Sequence, residues 1–188
     1  MSEQGTSLTD LIHRVHDGES GALQSIFELT YDELRRLARN RLQTAGRAGV
    51  LDTTCLVHEC YLRLATAKKL AVADRIHFFR YAGRAMRCVI VDMARGALRS
   101  KRGNGERLLS LSTTICESTS AAEEEVLRVH EALDDLAQVD PRLVQVVEMR
   151  YFAGMTEADI ATALGVTDRT IRRDWEKARL LLAQALAG

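Results

Sequence analysis

The chain has 188 residues, 46% of them hydrophobic and 28% charged, and its formal net charge is zero. A chain of this size can bury a core without disulfides or a structural metal, and it has room for one domain or two small ones. It contains no apolar run near 18 residues, and its first thirty residues carry acids where a secretory signal would begin with bases. We therefore expect a cytoplasmic protein without a membrane partner.

The whole chain is predicted to be helical. Apolar residues recur three and four positions apart throughout, and alternating strand patterns are absent. Pro141 follows Asp140, so that aspartate caps a helix and proline occupies its first position. The pattern predicts helices over residues 7–16, 20–43, 53–68, 75–101, 122–138, 141–152, 157–164 and 168–186.

One long gap interrupts these helices. Residues 103–121 combine Gly, Ser and Thr with little helical periodicity. We expect two small helical domains, 1–103 and 122–188, joined by a flexible linker over 104–121. The fold class is therefore predicted to be all-α, with two domains.

Charge is strongly segregated around this linker. From Arg75 to Arg107 there are nine Lys or Arg against two acids, and from Glu117 to Asp140 there are eight acids against one Arg. A nucleic-acid-binding protein can be neutral overall if its basic surfaces and its acidic region lie apart, and we expect that separation here. A solvated charged face without a ligand is the alternative.

No catalytic or metal-binding motif stands out. The sequence has no phosphate loop, GxSxG or HExxH. Cys55 and His58 lie one helical turn apart with Cys60 nearby, a spacing that zinc ligands use, but a third and fourth ligand are not evident. The four cysteines suit reduced thiols rather than disulfides. We expect no enzyme activity, no cofactor, no metal and no small-molecule substrate.

The last two predicted helices have the pattern of a helix-turn-helix. Thr156 can cap the first helix, Gly165 supplies the permissive backbone of a tight turn, and Thr167 can cap the second helix. In that second helix an apolar stripe follows, made of Ile171, Trp175, Ala178 and Leu182. Each helix is too short to stand alone, so we expect the pair to pack together and against Val146, Val147 and Met149.

Arginines occupy the opposite face of the second helix, at the end that enters a DNA major groove in such motifs. Arg169 and Arg173 point away from the stripe, and Arg172 and Lys177 flank them. Arg binds guanine edges or phosphates with two hydrogen bonds. The candidate duplex-binding residues are Thr167, Arg169, Thr170, Arg172, Arg173 and Lys177. Asp174 and Glu176 are expected to weaken the positive field of this helix, and a polar outer face of a helical bundle is the alternative.

Earlier in the chain, three stretches resemble extracytoplasmic-function (ECF) sigma factors. "HDGESGALQSIFELTYDELRRLARNRL" looks like the opening of that family, "DTTCLVHECYLRLA" like its core-binding helix, and "HFFRYAGRAMRCVIVDMARGALRSKRG" like its minus-ten helix. The C-terminal stretch "DPRLVQVVEMRYFAGMTEADIATALGVTDRTIRRDWEKAR" resembles the minus-thirty-five reader. Departures occur at His58, Cys88, Asp174 and Trp175, where the family more often has Gln, Asn, Arg and Leu. The chain resembles a divergent branch of the family.

The resemblance implies two sites in the first domain. For core polymerase it implies Asp52, Leu56, Glu59, Tyr61 and Arg63, with Leu56, Leu62 and Leu64 of the helix able to pack inward. For the minus-ten strand, the resemblance and the need for basic and aromatic side chains together indicate Phe78, Arg80, Arg84, Arg87, Asp92, Arg95 and Arg99. Phe79 is assigned to the core, and Phe78 is left open between core and base contact.

The function so implied is a sigma factor that binds RNA polymerase core and directs initiation at promoter DNA through its minus-ten and minus-thirty-five elements. An anti-sigma protein is a further candidate partner. A free-standing helix-turn-helix repressor or activator would instead bind DNA without polymerase, often as a symmetric dimer. A third alternative, an adaptor that binds only proteins, would show no dependence on DNA.

Overall fold

The computed structural model describes residues 7–44, 53–66, 72–102 and 120–187. Within these ranges the chain forms eight α-helices and one π-helical turn, without strands, which confirms the all-α class. The helices are α1 Leu8–His16, α2 Ala22–Thr44, α3 Thr53–Thr66, α4 Arg75–Arg102, α5 Ser120–Val139, α6 Pro141–Val147, α7 Glu157–Leu164 and α8 Asp168–Ala187, and the π turn is Glu148–Phe152. The predicted helix limits agree with these bounds to within two residues, except that the helix predicted over 141–152 ends at Val147. The predicted linker, apart from its last two residues, lies outside the described residues.

Helices α1 to α4 form the N-terminal half. Ser7 caps α1 through a capping box, in which its hydroxyl accepts a hydrogen bond from the Asp10 backbone N–H at 3.1 Å. Helix α2 packs on α1 and α3, and α3 packs on α4. Leu34, Leu56 and Met86, from three of these helices, have no exposed surface. The inward-facing stripes of the helices therefore meet in one core, as their spacing predicts.

The π turn is a backbone feature that the sequence pattern did not predict. We expected a continuous α-helix over residues 141–152, but α6 ends at Val147 and the Ala153 N–H donates to the Glu148 carbonyl five residues earlier. Met149 and Phe152 are both buried. Their spacing suits an α-helical or a π-helical turn equally, which is why periodicity did not distinguish the two.

Helices α7 and α8 meet across a short turn and share a small core. The Thr156 hydroxyl caps α7, and Gly165 ends that helix in the left-handed region at φ 65°. This core consists of Val146, Met149, Ile160, Ala161 and Ile171, and Val147 joins the larger core instead. The two helices and their turn thus have the form of a helix-turn-helix.

The N-terminal and C-terminal halves are packed against each other. Helix α4 lies along α5 and along the π turn, and one cluster of buried side chains includes residues of both halves. The halves approach closely at Gly83, where an added Cβ atom would lie 2.8 Å from the Ala153 backbone nitrogen. No helix in the described part of the chain is long and apolar enough to cross a membrane.

Candidate nucleic-acid interface

The start of α8 is fixed by two threonines. The Thr170 backbone N–H donates to the Thr167 hydroxyl at 3.3 Å, and the two hydroxyl oxygens are 3.0 Å apart. Thr167 therefore caps α8, as its position after Gly165 predicts. Both threonines lie at the helix end that the sequence analysis assigns to DNA. Thr167 is exposed there, and Thr170 is half-buried.

The inner face of α8 carries one acid among its apolar residues. Ile171 and Ala178 have no exposed surface, and Trp175 and Leu182 are half-buried, as predicted. Asp174 is only 2% exposed, and its Oδ2 lies 2.9 Å from Nε of Arg142, near the start of α6. The Asp174 carboxylate therefore points inward to Arg142, but its Oδ1 still lies 3.9 Å from Nε of Arg173 and is not fully separated from the outer face.

The outer face of α8 carries an exposed arginine row: Arg169, Arg172 and Arg173. Glu176 is also exposed and belongs to this face, as predicted. Arg169 has no carboxylate within ion-pair distance among the described residues, and Arg173 reaches only Asp174, at 3.9 Å. Two of the three guanidinium groups therefore remain available to a ligand.

Two further cations on α8 have partners from other elements. Arg172 lies 3.1 Å from Glu157 at the start of α7, and Glu157 also accepts from Arg150 at 2.7 Å. These hydrogen bonds lower the pKa of Glu157, so the carboxylate stays ionised. Lys177 lies 3.5 Å from the Asp140 cap. Exposed pairs of this kind are weak and exchange readily for a phosphate.

The basic helix α4 presents most of the predicted minus-ten residues to solvent. Arg84, Arg95 and Arg99 are exposed, and Arg80 is half-buried. The Asp92 side chain is exposed and pairs with Arg63 of α3, and Arg95 approaches it at 3.8 Å. The Arg63–Asp92 contact raises the pKa of Arg63 and joins the predicted polymerase site to the predicted minus-ten site.

Two members of the minus-ten set are not on the surface. Phe78 has no exposed area, and its ring packs edge-on against Phe27 and Phe79, with centroids 5.9 Å and 5.4 Å away. A base-stacking role for Phe78 was therefore a wrong prediction, because the N-terminal core uses both sides of this ring. Phe79 is 4% exposed and belongs to the core, as assigned.

Arg87 is 8% exposed and faces the C-terminal half. Its Nη1 donates to Glu148 Oε1 at 2.9 Å, and its Nη2 donates to Asp134 Oδ1 and to His130 Nδ1, each at 2.8 Å. The expectation that basic and acidic segments lie apart fails here, because α5 supplies the carboxylate of Asp134 directly to α4. The cause is geometric: the acidic helix packs along the basic one.

The predicted polymerase site on α3 is partly exposed. Glu59 is exposed and Tyr61 half-buried, with the Tyr61 ring 4.8 Å from that of Phe27. Leu56 has no exposed surface, so it supports the helix from within and cannot touch a partner in this conformation. Leu62 was expected to pack inward but is 52% exposed. Asp52 lies outside the described residues.

One exposed apolar position of α2 was not predicted, and the cysteines of α3 differ in exposure. Leu29 is 54% exposed, a large apolar side chain that no motif singled out. Cys60 is buried, and burial raises the pKa of its thiol to about 12, whereas Cys55 and His58 are exposed. Cys60 therefore cannot share a metal ion with those two residues on the other side of α3.

Comparison with known protein families adds an independent finding. The chain matches the family described as ECF sigma factor over residues 5–188. No curated protein matched the chain. Because the match covers both halves and the segment between them, the chain belongs to the ECF sigma factor family, and its role is in transcription initiation with RNA polymerase. The match does not favour the alternative of a free-standing repressor or activator.

Proposed function

We propose that this cytoplasmic sigma factor docks on RNA polymerase core through α3, holds the minus-ten strand with α4 and reads the minus-thirty-five duplex with α8. In this proposal residues 1–103 and 122–188 act as separate DNA-binding domains, and residues 104–121 link them. An anti-sigma protein remains a candidate partner. The factor carries no catalytic step of its own.

The exposed arginine row of α8 is the observation that carries the proposal. Thr167 caps the helix start, and Ile171 and Asp174 hold its inner face, so the orientation of the row is fixed. Arg169 and Arg173 project from the end that enters a major groove. One arginine reading a base and another holding a phosphate would account for both register and preference.

The polymerase surface is proposed on the exposed side of α3. Glu59, Tyr61 and Arg63 are accessible there, and Leu62 adds an exposed apolar group. Such a mixture of an aromatic, an apolar and two charged groups suits a protein partner. On α4, Arg84, Arg95 and Arg99 are proposed to hold the unpaired minus-ten strand, and Arg87 joins them once it is uncovered.

The experiment begins with holoenzyme assembled from core polymerase and the full chain. Transcription from a fragmented bacterial genome, read by sequencing of transcript starts, identifies the promoters that depend on this factor. Replacing Arg169 by Ala should then cost about 1–3 kcal/mol in promoter binding and relax preference at one minus-thirty-five position. Arg179→Ala, an exposed arginine about three turns further along α8, is the matched control. Equal effects of the two substitutions would contradict the proposal, as would transcription that does not depend on the factor.

A further inference from the structure

An apolar cavity lies between α2, α4, α5 and the π turn. Its volume is about 300 Å³. Aliphatic and aromatic side chains form most of its lining: Ile90, Val91, Val126, Val129, Leu133 and Phe152. Small-molecule sites in proteins have this form, a mainly apolar hollow of about 300–1,000 Å³ with a few polar groups that fix the orientation of the ligand.

Two arginines of this lining have unused hydrogen-bond donors. The Nε atoms of Arg41 on α2 and Arg87 on α4 are both buried, and neither has a hydrogen-bond partner among the described residues. A buried donor is costly to leave without an acceptor, because folding removes it from water. The two atoms therefore indicate a place for an acceptor inside the cavity.

Arg41 also lacks a counter-ion within the described part of the chain. Its guanidinium carbon lies 4.3 Å from the centroid of the Tyr151 ring, and the interactions that affect its pKa involve no carboxylate. Burial lowers the pKa of Arg41, and Tyr151 opposes this effect. Glu125, an acid of the lining, pairs with Arg128 instead. A partly buried cation beside an apolar wall is stabilised by an anion.

The charges around the cavity limit the anion to a single negative charge. Arg87 is already neutralised by Glu148 and Asp134, which bind its Nη1 and Nη2 atoms. Arg41 is then the cation of the lining whose charge remains unmatched. A carboxylate supplies one negative charge and accepts hydrogen bonds from a guanidinium group in the same plane.

The volume limits the size of the ligand. An apolar cavity of about 150 Å³ takes up benzene, which has about six heavy atoms. A cavity of about 300 Å³ therefore suits a molecule of about ten to twelve heavy atoms. An acid with an apolar body of this size matches both the arginines and the apolar side chains of the lining.

We propose that this cavity is a binding site for a small amphipathic organic acid, whose carboxylate pairs with Arg41 and whose apolar body contacts Val126 and Val129 of α5. Nε of Arg87 offers the carboxylate a second donor in the same cavity. The ligand contacts residues of both halves of the chain, so its binding stabilises the folded protein.

Isothermal titration calorimetry of the full chain with octanoate tests the site, because octanoate has one carboxylate and about ten heavy atoms. One molecule should bind per chain, and 1-octanol, which lacks the charge, should bind at least about tenfold more weakly. Arg41→Met removes the charge and its donors and should weaken octanoate binding by at least about tenfold. Arg39→Met makes the same change at an exposed position of α2 and should leave the affinity unchanged.

A second pair of variants fills the cavity and keeps every charge. Val129→Phe places a larger side chain in the lining, whereas Val139→Phe makes the same change at a 78% exposed position of α5. Val129→Phe should weaken octanoate binding by at least about tenfold, because the ring occupies the space of the ligand. Val139→Phe should bind like the wild type. Circular dichroism verifies folding, and Ala122→Leu fills the same cavity if Val129→Phe does not fold.

Thermal unfolding provides an independent readout. Octanoate should raise the unfolding midpoint of the wild type and of Val139→Phe, and it should not raise that of Arg41→Met or Val129→Phe. Absence of saturable binding to the wild type would overturn the inference, and water would then satisfy the two arginine donors. Equal binding by Val129→Phe and the wild type would also overturn it, because the acid would then bind elsewhere. Neither result bears on promoter recognition, which transcription by the holoenzyme measures separately.

Discussion

The two arginine-rich helices, α4 and α8, differ in what faces their arginines. On α8 the buried carboxylate, Asp174, lies on the inner face with Arg142, and the arginine row is left outside. On α4 the buried group is an arginine, Arg87, and the carboxylates that surround it come from the other half of the chain. The arginine row of α8 stays exposed, whereas Arg87 of α4 is already bound by carboxylates.

A basic stretch of sequence therefore does not identify a nucleic-acid surface by itself. The acidic elements that pack beside it must also be known, because their carboxylates can already bind its arginines. The chain is neutral because its acidic and basic segments balance. Between α4 and α5 the opposite charges are in direct contact, because Arg87 pairs with Asp134. In α8 the buried acid Asp174 pairs instead with Arg142, which belongs to the same half of the chain.

The largest effect is expected at Phe78, the aromatic residue of α4 that was assigned to DNA and is found in the core. Phe78→Ala should lower the free energy of unfolding by about 3–5 kcal/mol, because it removes a fully buried ring and leaves a cavity. Urea denaturation measures this, with Leu29→Ala, at a 54% exposed position, as the control. A small loss of stability together with weaker strand binding would restore the stacking role.

The next effect contrasts two acids of α8. Asp174→Ala should cost about 1–3 kcal/mol of unfolding free energy, since it deletes the buried carboxylate of an ion pair, although half-exposed Arg142 can regain water. Glu176→Ala, on the outer face, should change stability by less than about 0.5 kcal/mol. Thermal unfolding of the two variants provides the comparison. Equal losses would mean that Asp174 is not the inward-facing acid described above.

A pH effect is expected at the contact between α4 and α5. His130 Nδ1 accepts from Arg87, which can only donate, so this nitrogen must be unprotonated. Burial, followed by the Arg87 charge, lowers the pKa of His130 below its usual 6.5. The unfolded or opened chain therefore takes up a proton first, and the contact loses stability as pH falls below about 6.5. The charged groups around this imidazole are Arg87 and Arg95 of α4, Glu131 and Asp134 of α5, and Glu148.

Small-angle X-ray scattering at pH 7.5 and 5.5 tests this prediction through the radius of gyration. The radius of gyration of the wild type should rise on acidification. His130→Gln keeps an acceptor for Arg87 and loses the titration, so its radius should change less. The same rise in both proteins would assign the effect to the carboxylates of Asp134 and Glu148 instead.

Local signals in the sequence explain which features were predictable. Caps at Asp140, Thr156 and Thr167 and the turn at Gly165 depend on neighbouring residues, and periodicity predicts the helix limits to within two residues everywhere except at the end of α6. The burial of Phe78, the exposure of Leu62 and the partners of Arg87 depend on which helix packs on which. Those contacts join residues far apart in the chain, for which spacing along one helix carries no signal.

The smallest effect is expected at Glu176, the exposed acid beside the arginine row of α8. Glu176→Gln removes one negative charge from the proposed duplex surface. It should tighten binding to duplex DNA of any sequence by about twofold to fivefold at low salt, because an exposed charge interaction has about this strength. Glu19→Gln, which makes the same change in net charge at the exposed pair with Arg14, is the matched control and should leave affinity unchanged. Fluorescence anisotropy between about 50 and 300 mM salt separates the two, because screening should remove the gain at the upper end. If both substitutions tightened binding equally, total charge rather than the α8 face would attract the duplex, and the contrast between α8 and α4 would not extend to DNA.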